Sequence, residues 1–381
     1  MANKNIYLDY AAATPMDKRV LLAMEPYFST EFYNPSATYL VARAVGVDIE
    51  QARAKIAGLL GSRPGEIIFT SGATEANNLA IRGVAEAHPD GQILVSAIEH
   101  ASVLAPAEHL KAKQIPVSTK GIVDLGWLGK NISAKTMLVS VMLVNNELGS
   151  VQPLHEIAEL IKTERKSRQS SRNKLPIYLH TDAAQAANFF DLHVSRLGVD
   201  LMSVNGGKLY GPKQTGFLYV RAGTSLTAQI MGGGQEFGKR SGTENVAGIM
   251  ALAEAFAIAQ KTKALEVVRT KQLLGQMSRG LEKIFPAVQI NGSAKHRAPH
   301  ILSASFEGFD NERLMIELDE RGIQVAVGSA CSASDDEPSH VLSAIGLPES
   351  AAQATLRFSF GRQTSPSDIE KTLSTLQTLV S

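Results

Sequence analysis

Short apolar runs alternate with amphipathic stretches through the first 250 residues, and this alternation constrains the fold more than any other feature. Six runs have the length and the Val, Ile and Leu content of strands buried on both faces: 66–72, 92–98, 136–145, 176–183, 199–205 and 216–221. Four stretches near them have helical spacing: 48–61, 74–88, 101–113 and 153–166. Strand–helix alternation predicts an α/β fold with a mostly parallel sheet covered by helices on both faces.

The pattern changes near residue 246, where a long helical stretch begins and continues to about residue 285. Shorter elements are predicted after it: strands at 287–292, 300–308, 323–328 and 354–361, and helices at 310–322, 338–346 and from Ser365 onward. Because 381 residues exceed what one simple core accommodates, we expect two domains. We assign 15–255 to a large ligand-binding domain, and 1–14 with 256–381 to a smaller α/β domain.

Charge and composition argue against several classes of partner. The chain has 38 basic and 37 acidic residues, a net charge of +1, so it has no overall field that would attract nucleic acid or an anionic membrane. No apolar run reaches the roughly 18 residues that cross a bilayer. The N-terminus lacks the plan of a signal peptide, and the single cysteine cannot form an internal disulfide. We therefore expect a cytoplasmic protein that binds neither membrane nor nucleic acid directly.

Three polar residues follow predicted strands, where an open α/β sheet binds its ligands. Asp182 ends an apolar strand, and a protonated pyridine nitrogen is a good partner for such a half-buried carboxylate. Lys208 lies in a glycine-rich turn, where a desolvated amine could form a Schiff base. His100 could stack on an aromatic ring or move protons. Each has a structural alternative: a helix cap for Asp182, a surface lysine for Lys208, and a structural histidine for His100.

Two further features of the sequence predict groups that bind anions. The stretch 70–80 joins a strand to a helix through a glycine turn, and the N–H groups at such a helix start favour phosphate, with the Thr74 hydroxyl as an added donor. Arg357 alternates with apolar residues on a strand and could pair with a substrate carboxylate, or equally with an acidic residue of the chain. Together these residues supply every part of a pyridoxal 5'-phosphate (PLP) site. No metal site is predicted.

The chain resembles the cysteine desulfurases of the class V aminotransferase group, in the branch that serves iron–sulfur cluster assembly. The matching stretches occur in order along nearly the whole chain: 7–15, 34–37, 70–80, 98–102, 145–149, 181–185, 208–216, 232–245, 328–334 and 357–362. The resemblance implies the PLP-dependent transferase fold type I, with a mostly parallel seven-stranded sheet between helices and a smaller α/β domain.

The resemblance also implies roles around the cofactor ring. Lys208 would be the Schiff-base lysine, and Asp182 the partner of the pyridine nitrogen. Gln185 would hydrogen-bond the phenolic oxygen, with Asn146 nearby. His100 would stack on the ring.

At the phosphate and the substrate the resemblance implies a second set of roles. Ala73 and Thr74 would bind the phosphate. Thr243 would reach the phosphate of a neighbouring subunit, which implies a homodimer. Arg357 and Asn34 would hold the substrate carboxylate.

The only cysteine of the chain, Cys331, lies among small and polar residues in the stretch 328–340. The resemblance implies that Cys331 accepts the sulfur of L-cysteine as a persulfide, so that L-alanine is the remaining product. The persulfide would then pass its sulfur to an acceptor protein. That acceptor would be a cluster scaffold or a tRNA-thiolation enzyme. Attack requires the thiolate, so positive charge is needed near Cys331 during the reaction. The alternative is a buried structural cysteine.

The stretch before the lysine departs from the family pattern. Relatives usually have Ser-Gly-His there, whereas this chain has Asn205, Gly206 and Gly207. Asn205 could still donate to the phosphate, but Gly207 offers only backbone. We therefore expect PLP to be held less tightly than in typical relatives, by about 1–3 kcal/mol if two donors are lost. Tyr33 and Tyr39 also replace a common glycine and histidine near the substrate entrance.

Two other functions remain compatible with these residues. One is a lyase or transaminase of the same fold that acts on a substrate such as selenocysteine, for which Cys331 would be dispensable. The other is a non-catalytic protein-binding scaffold, suggested by the altered residues before Lys208, which would not take up PLP.

Overall fold

The computed structural model describes residues 5–328 and 339–380. Within them there are twelve strands: β1 (Ile6–Tyr7), β2 (Ile67–Thr70), β3 (Gln92–Ser96), β4 (Lys113–Ile115), β5 (Thr136–Ser140), β6 (Tyr178–Asp182), β7 (Leu201–Asn205), β8 (Gly216–Val220), β9 (Gln289–Ile290), β10 (Ile301–Ser305), β11 (Ile323–Gln324) and β12 (Thr355–Ser359).

The same residues contain thirteen α-helices: α1 (Lys18–Met24), α2 (Pro26–Ser29), α3 (Leu40–Leu60), α4 (Ala73–Ala87), α5 (Ala101–His109), α6 (Leu125–Asn131), α7 (Leu154–Ser171), α8 (Val194–Leu197), α9 (Val246–Ile284), α10 (Asn311–Asp319), α11 (His340–Ala344), α12 (Glu349–Ala352) and α13 (Pro366–Val380). None of these helices is long and apolar enough to cross a membrane.

The central sheet has seven strands in the order β2-β8-β7-β6-β5-β3-β4. Strand β8 runs antiparallel to both of its neighbours, and every other pairing in the sheet is parallel. The predicted α/β fold with a mostly parallel seven-stranded sheet is therefore confirmed. The carboxyl ends of β2, β3, β5, β6 and β7 meet at one edge.

Helices cover both faces of this sheet because successive side chains of each strand point to opposite faces. In β2, Ile67 and Phe69 belong to a core that also contains buried residues of α3, α7 and α9. Ile68, between them, packs on the other face with buried residues of α4 and α5. Strands buried on both faces explain why the sequence shows continuous apolar runs here.

A second large core contains Ile6 and Leu8 together with buried residues from positions 273–380. It surrounds a three-stranded antiparallel sheet, β12-β10-β9, and the parallel pair β1-β11. Helix α9 enters both cores, with its first part in the core of the central sheet and its later part in this one. The predicted domain boundary at 255 and 256 falls inside α9, and the division into domains stays a prediction.

Several predicted element bounds are wrong. The predicted helix 101–113 is too long, because α5 ends at His109 and residue 113 begins β4. The predicted strand 136–145 is also too long, since β5 ends at Ser140. Helix α3 begins at Leu40, not at residue 48, and its N-cap Tyr39 forms no side-chain cap, so the sequence has no start signal there.

A buried ion pair fixes the segment 232–245 to the central sheet. Arg53 donates to Glu236 through two bonds of 2.7 and 2.9 Å, and the side chains of both residues are at most 4% exposed. Glu236 also accepts from the backbone N–H of Phe69 at 2.8 Å, and Arg53 donates to the carbonyl of Ile67 at 2.7 Å. Every strong donor and acceptor of the pair therefore has a partner.

We expect Glu236→Gln to destabilise the protein by about 3–5 kcal/mol, because it removes the buried partner of the Arg53 guanidinium and leaves it only the bond to the exposed Glu50 at 3.0 Å. Urea denaturation followed by circular dichroism measures the loss. Glu254→Gln is the matched control, since its pair with Lys55 is 30–44% exposed and should contribute less than about 1 kcal/mol. Equal midpoints for the two variants would contradict the prediction.

Candidate active site

A cavity lies at the carboxyl edge of the central sheet, and we call it the main cavity because most of the predicted site residues line it. Nine of the predicted site residues line it: Ala73, Thr74, His100, Asn146, Asp182, Gln185, Asn205, Lys208 and Arg357. The other lining residues are Ala11, Ala12, Ser102, Met142, Val144 and Ala184. Strand ends separated by long stretches of sequence thus converge on one cavity, as the topology of an open α/β sheet predicts.

Asp182 is buried at the end of β6 and is held by two donors. The side-chain amide of Asn77 donates to Oδ2 at 2.8 Å, and the backbone N–H of Ala184 donates to Oδ1 at 2.8 Å. A carboxylate has about four acceptor positions, so others remain on the side that faces the cavity. Asp182 does not cap a helix, because the residues after it form a turn.

Three hydrogen bonds connect His100 to Asp182. Nδ1 of His100 lies 2.8 Å from the hydroxyl of Ser102, and the amide of Asn77 donates to that hydroxyl at 2.9 Å as well as to Asp182. The backbone N–H of Ser102 also donates to Nδ1 at 3.1 Å. Since a backbone N–H can only donate, Nδ1 accepts, and the neutral ring carries its hydrogen on Nε2.

The ring of His100 is neutral near pH 7. Burial lowers the pKa of His100, and the Asp182 carboxylate opposes this effect only in part, while Lys208 adds to it. A neutral ring with its hydrogen on Nε2 can donate a hydrogen bond from that atom but has no lone pair there to take up a proton. Stacking and donation therefore suit His100 better than the role of a base.

Lys208 ends a short 3₁₀ turn, Gly206–Lys208, directly after β7. Its Nζ donates to the carbonyl of Ala12, and its own carbonyl accepts from the side-chain amide of Asn188 at 2.7 Å. The turn requires glycine at 206, because a Cβ there would overlap the hydroxyl of Thr215. The lysine is half-buried and belongs to the cavity wall, in contrast to the surface lysine considered above.

Helix α4 points its amino end at the cavity. Its N-cap is Gly72, which has φ of 141° and no side chain, so the first N–H groups of the helix are not capped by that residue. Asn205 lies nearby, and its Oδ1 accepts the N–H of Gly207 at 2.9 Å, which leaves Nδ2 as the donor that can face a ligand. Ala73, Thr74 and Asn205 therefore form one donor-rich end of the cavity.

Arg357 lies at the other end of the cavity and is buried. It donates to the Asp9 carboxylate at 2.6 Å and to the carbonyl of Asn146 at 3.0 Å. Within residues 5–328 and 339–380 its Nε has no partner although it is buried. The structural ion pair that the sequence left open is present, and Arg357 still has a donor in reserve for a ligand.

Gln185 has a fixed orientation. Its Nε2 donates to the carbonyl of Ala11 at 2.9 Å, and its Oε1 lies 3.4 Å from Nε2 of His300. Burial lowers the pKa of His300 to about 3, so the ring is neutral, and it stacks on Phe189 at 4.0 Å. Nε2 of His300 thus acts as the donor, and the second hydrogen of the Gln185 amide remains for a ligand.

Two predicted site residues that the structure describes, Asn34 and Thr243, do not line this cavity. Asn34 is exposed and its Oδ1 accepts the N–H of Ser36 at 3.0 Å. Thr243 is also exposed and lines a different cavity, with Arg240 and Glu244. Cys331 lies outside the described residues.

Gly328 and Ser339, the described residues on either side of 329–338, both lie close to the side chain of Glu147. Ser339 donates its hydroxyl to Oε2 of this buried glutamate at 2.5 Å, and a Cβ built on Gly328 would lie 3.9 Å from the same oxygen. His340 donates from Nε2 to the carbonyl of Glu99 at 2.9 Å. Since Glu147 follows the cavity residue Asn146, Gly328 and Ser339 both lie close to the cavity.

Sequence reasoning did not find four residues that hold the site together: Asp9, Asn77, Ser102 and Glu147. They lie inside the stretches 7–15, 70–80, 98–102 and 145–149, so they accompany residues that were singled out. Asn77 occurs four positions after Ala73, about one helical turn, which places both on one face of α4. That four-residue spacing was the sequence signal that could have identified Asn77.

A family model described as Aminotransferase class-V matches residues 6–372 of this chain. A cysteine desulfurase IscS from Dictyoglomus turgidum is 40% identical over 384 residues, which cover 99% of this chain and 95% of the relative. A solved NifS-like protein has a TM-score of 0.90 and 30% identity, with 99% of each chain covered. The solved structure of SspA in complex with cysteine has a TM-score of 0.78 and 34% identity, and covers 93% of this chain and 98% of that one. The chain therefore belongs to the aminotransferase class-V family, in its cysteine desulfurase branch.

Proposed function

We propose that this protein is a PLP-dependent cysteine desulfurase that converts L-cysteine to L-alanine and takes the sulfur onto Cys331 as a persulfide. The observation that carries the proposal is the convergence of Lys208, Asp182, His100 and Arg357 on one cavity. The similarity over the whole chain to a relative named cysteine desulfurase supports the same reaction.

The donors and acceptors of the cavity fit PLP. Asp182 keeps acceptor positions for a protonated ring nitrogen, and Gln185 keeps an amide hydrogen for the phenolic oxygen. Ala73 and Thr74 present the uncapped amino end of α4 to a phosphate. Lys208 supplies the amine that would hold the aldehyde covalently. Each polar group of the cofactor thus has a chemically matched partner on this chain.

When bound, PLP supplies an electron sink that makes the Cα proton of an amino acid labile. Nζ of Lys208 would carry that proton, because it is the amine of the cavity wall. Asp182 would keep the ring nitrogen protonated, and Asn77 orients its carboxylate. His100 would cover one face of the ring, with Ser102 fixing its orientation.

Arg357 would bind the carboxylate of the substrate. The solved relative SspA is in complex with cysteine, which supports cysteine as the substrate here. The bond from Arg357 to Asp9 orients the guanidinium, and the buried Nε without a partner among the described residues gives the carboxylate a donor. Asn34 would assist from the exposed loop before α3.

We expect Arg357→Lys to raise KM for cysteine about 10- to 100-fold, with a smaller effect on kcat. An ammonium cannot serve Asp9 and a substrate carboxylate with the geometry of a guanidinium, and a charge-assisted bond contributes about 1.5–3 kcal/mol. Steady-state kinetics of alanine formation measure both constants. Arg362→Lys is the control, because Arg362 pairs with Asp17 at 2.9 Å and does not line the cavity. An unchanged KM for Arg357→Lys would contradict the proposed role.

Cys331 would accept the substrate sulfur. One S–S bond forms to Sγ of Cys331 and the C–S bond of cysteine breaks. The carbon keeps the electron pair and takes a proton, so alanine and a persulfide account for all atoms. Glu147 supports this role, because it holds Ser339 and lies next to Gly328, at the two ends of the segment that contains Cys331.

A homodimer would explain the residues that lie outside the cavity. Several large apolar side chains among residues 21–47 are exposed, including Phe28, Phe32 and Leu40 at 64–80%. Exposed apolar side chains of this size are typical of an interface when they form one patch. Thr243 is exposed as well and would reach the phosphate bound by a second copy of the chain.

The proposed persulfide product requires a partner protein. A persulfide on Cys331 must pass its sulfur to an acceptor protein, and we propose a cluster scaffold or a tRNA-thiolation enzyme, in the cytoplasm. Iron–sulfur cluster assembly is the proposed pathway.

The deciding experiment incubates the PLP-loaded protein with L-cysteine, quantifies alanine, and maps persulfide by mass spectrometry. Alanine together with persulfide on Cys331 supports the proposal. Alanine without persulfide on Cys331 would favour the lyase, whose expected substrate is selenocysteine. No alanine and no PLP uptake would favour the non-catalytic scaffold.

A further inference from the structure

The donor-rich end of the main cavity opens into a second cavity. The two share five lining residues: Ala12, Ala73, Thr74, Asn205 and Lys208. The second cavity is also lined by Gly207 and Lys213, which the first does not include. The space at the amino end of α4 therefore continues toward Lys213.

Lys213 lies beside the position where this chain lacks a side chain. A Cβ built on Gly207 would lie 3.6 Å from both Cα and Cγ of Lys213, and 3.3 Å from Oδ1 of Asn205. A large side chain at 207 would therefore cover the stem of Lys213 and occupy the space between it and the cavity. With glycine at 207, the lysine borders the cavity directly.

Lys213 is exposed and, among the described residues, forms no ion pair or hydrogen bond. The carboxylate nearest in this wall, Glu75, is already bound by Arg240 at 2.8 Å and by the N–H of Ser71 at 2.8 Å. In the described part of the chain, the ionisable groups that line this end of the cavity are Lys208, Lys213 and Glu75, and Arg240 neutralises the glutamate. The net potential favours an anion.

We propose that Lys213 binds the phosphate of PLP and takes over part of the work of the side chain missing at Gly207. This inference rests on the proposed function, since it assumes that PLP occupies the main cavity. Asn205 can supply only one amide group, because its oxygen is used by the N–H of Gly207. A phosphate monoester carries close to two negative charges at pH 7, so a cation adds what the neutral donors lack. Lys213 therefore offsets part of the affinity loss expected from Asn205 and Gly207.

The test titrates the full-length apoprotein with PLP and with pyridoxal, which lacks the phosphate, and follows cofactor absorbance. For Lys213→Met we expect the Kd for PLP to rise about tenfold, the effect of one charge-assisted bond, while the Kd for pyridoxal changes less than about twofold. The loss should shrink as salt is raised, because the contact is partly exposed. Lys213→Arg should keep most of the affinity, since it keeps the charge.

A second variant separates the phosphate contact from an indirect effect. Gly207→His in the Lys213→Met background should restore PLP affinity at least threefold, because the imidazole would supply a donor beside Asn205 in the wall of the second cavity. Lys261→Met is the matched control, as Lys261 is exposed on α9 and does not line either cavity. It should leave both dissociation constants unchanged.

The outcomes separate the two proposals. Normal PLP uptake by the unmodified protein together with an unchanged Kd for Lys213→Met would overturn the role of Lys213 and leave the proposed function intact. Equal losses for PLP and pyridoxal would also overturn it, because the effect would not involve the phosphate. Failure of the unmodified protein to bind PLP would overturn both.

Discussion

Lys208→Ala is expected to lower alanine formation from cysteine by at least about 10³-fold and to remove the covalent link to PLP. The substitution deletes both the nucleophile that would hold the aldehyde and the amine that would move the Cα proton, and proton transfer by a positioned group alone contributes about 10²–10⁴-fold. Absorbance of the cofactor, reduction with borohydride and mass mapping of the modified residue measure the first effect, and an alanine assay measures the second.

The fold should survive this substitution. The contacts that fix the turn join the backbone of residues 206–208 to the hydroxyl of Thr14 and the side-chain amide of Asn188, and neither needs the ammonium group. Lys261→Ala serves as a control for the loss of one lysine. Borohydride-stable PLP on a residue other than Lys208, or full activity of the variant, would contradict the assignment of Lys208 as the Schiff-base lysine.

Cys331→Ser is expected to lower alanine formation at least 100-fold and to eliminate protein persulfide. A hydroxyl is a far weaker nucleophile than a thiolate toward sulfur, so the transfer step has no substitute acceptor in a chain with one cysteine. PLP binding should be unchanged, and addition of cysteine should still alter the cofactor absorbance, because Lys208, Asp182 and Arg357 remain. Alanine quantification and intact-mass spectrometry provide the two measurements.

Ser332→Ala, one residue further along the segment, is the matched control and should retain persulfide formation. A Cys331→Ser protein that still released sulfide at the unmodified rate would remove Cys331 from the mechanism. Retention of selenocysteine cleavage with loss of cysteine turnover would point to the lyase as a second activity of the same cavity.

The sequence predicted the residues that follow buried strands. Asp182 and Asn205 end β6 and β7, and Lys208 comes directly after β7, so apolar runs in the sequence were enough to place them at one edge. The amino end of α4 was predictable for a related reason, because a glycine between a strand and a helix marks a turn with exposed N–H groups.

Contacts between distant segments could not be predicted in this way. Arg357 and Asp9 are 348 positions apart and meet because β1 and β12 belong to the same part of the molecule, which no local pattern encodes. Asn77 and Asp182 are 105 positions apart. The sequence did not predict strand β4, because this strand has three residues, of which only Ile115 is buried. The proposed role of Thr243 requires a second copy of the chain, which no local sequence pattern reveals.

Helix α9 is continuous over 39 residues, about 58 Å, and contributes side chains to both cores. A hinge between those cores would have to break successive main-chain hydrogen bonds of one helix, which rigid helices resist. We therefore expect the two walls of the cavity to keep their spacing through a catalytic cycle. Access for an amino acid, and departure of its product, must depend on short connecting segments, and variants that stiffen those segments would slow turnover without altering the equilibrium occupancy of the coenzyme.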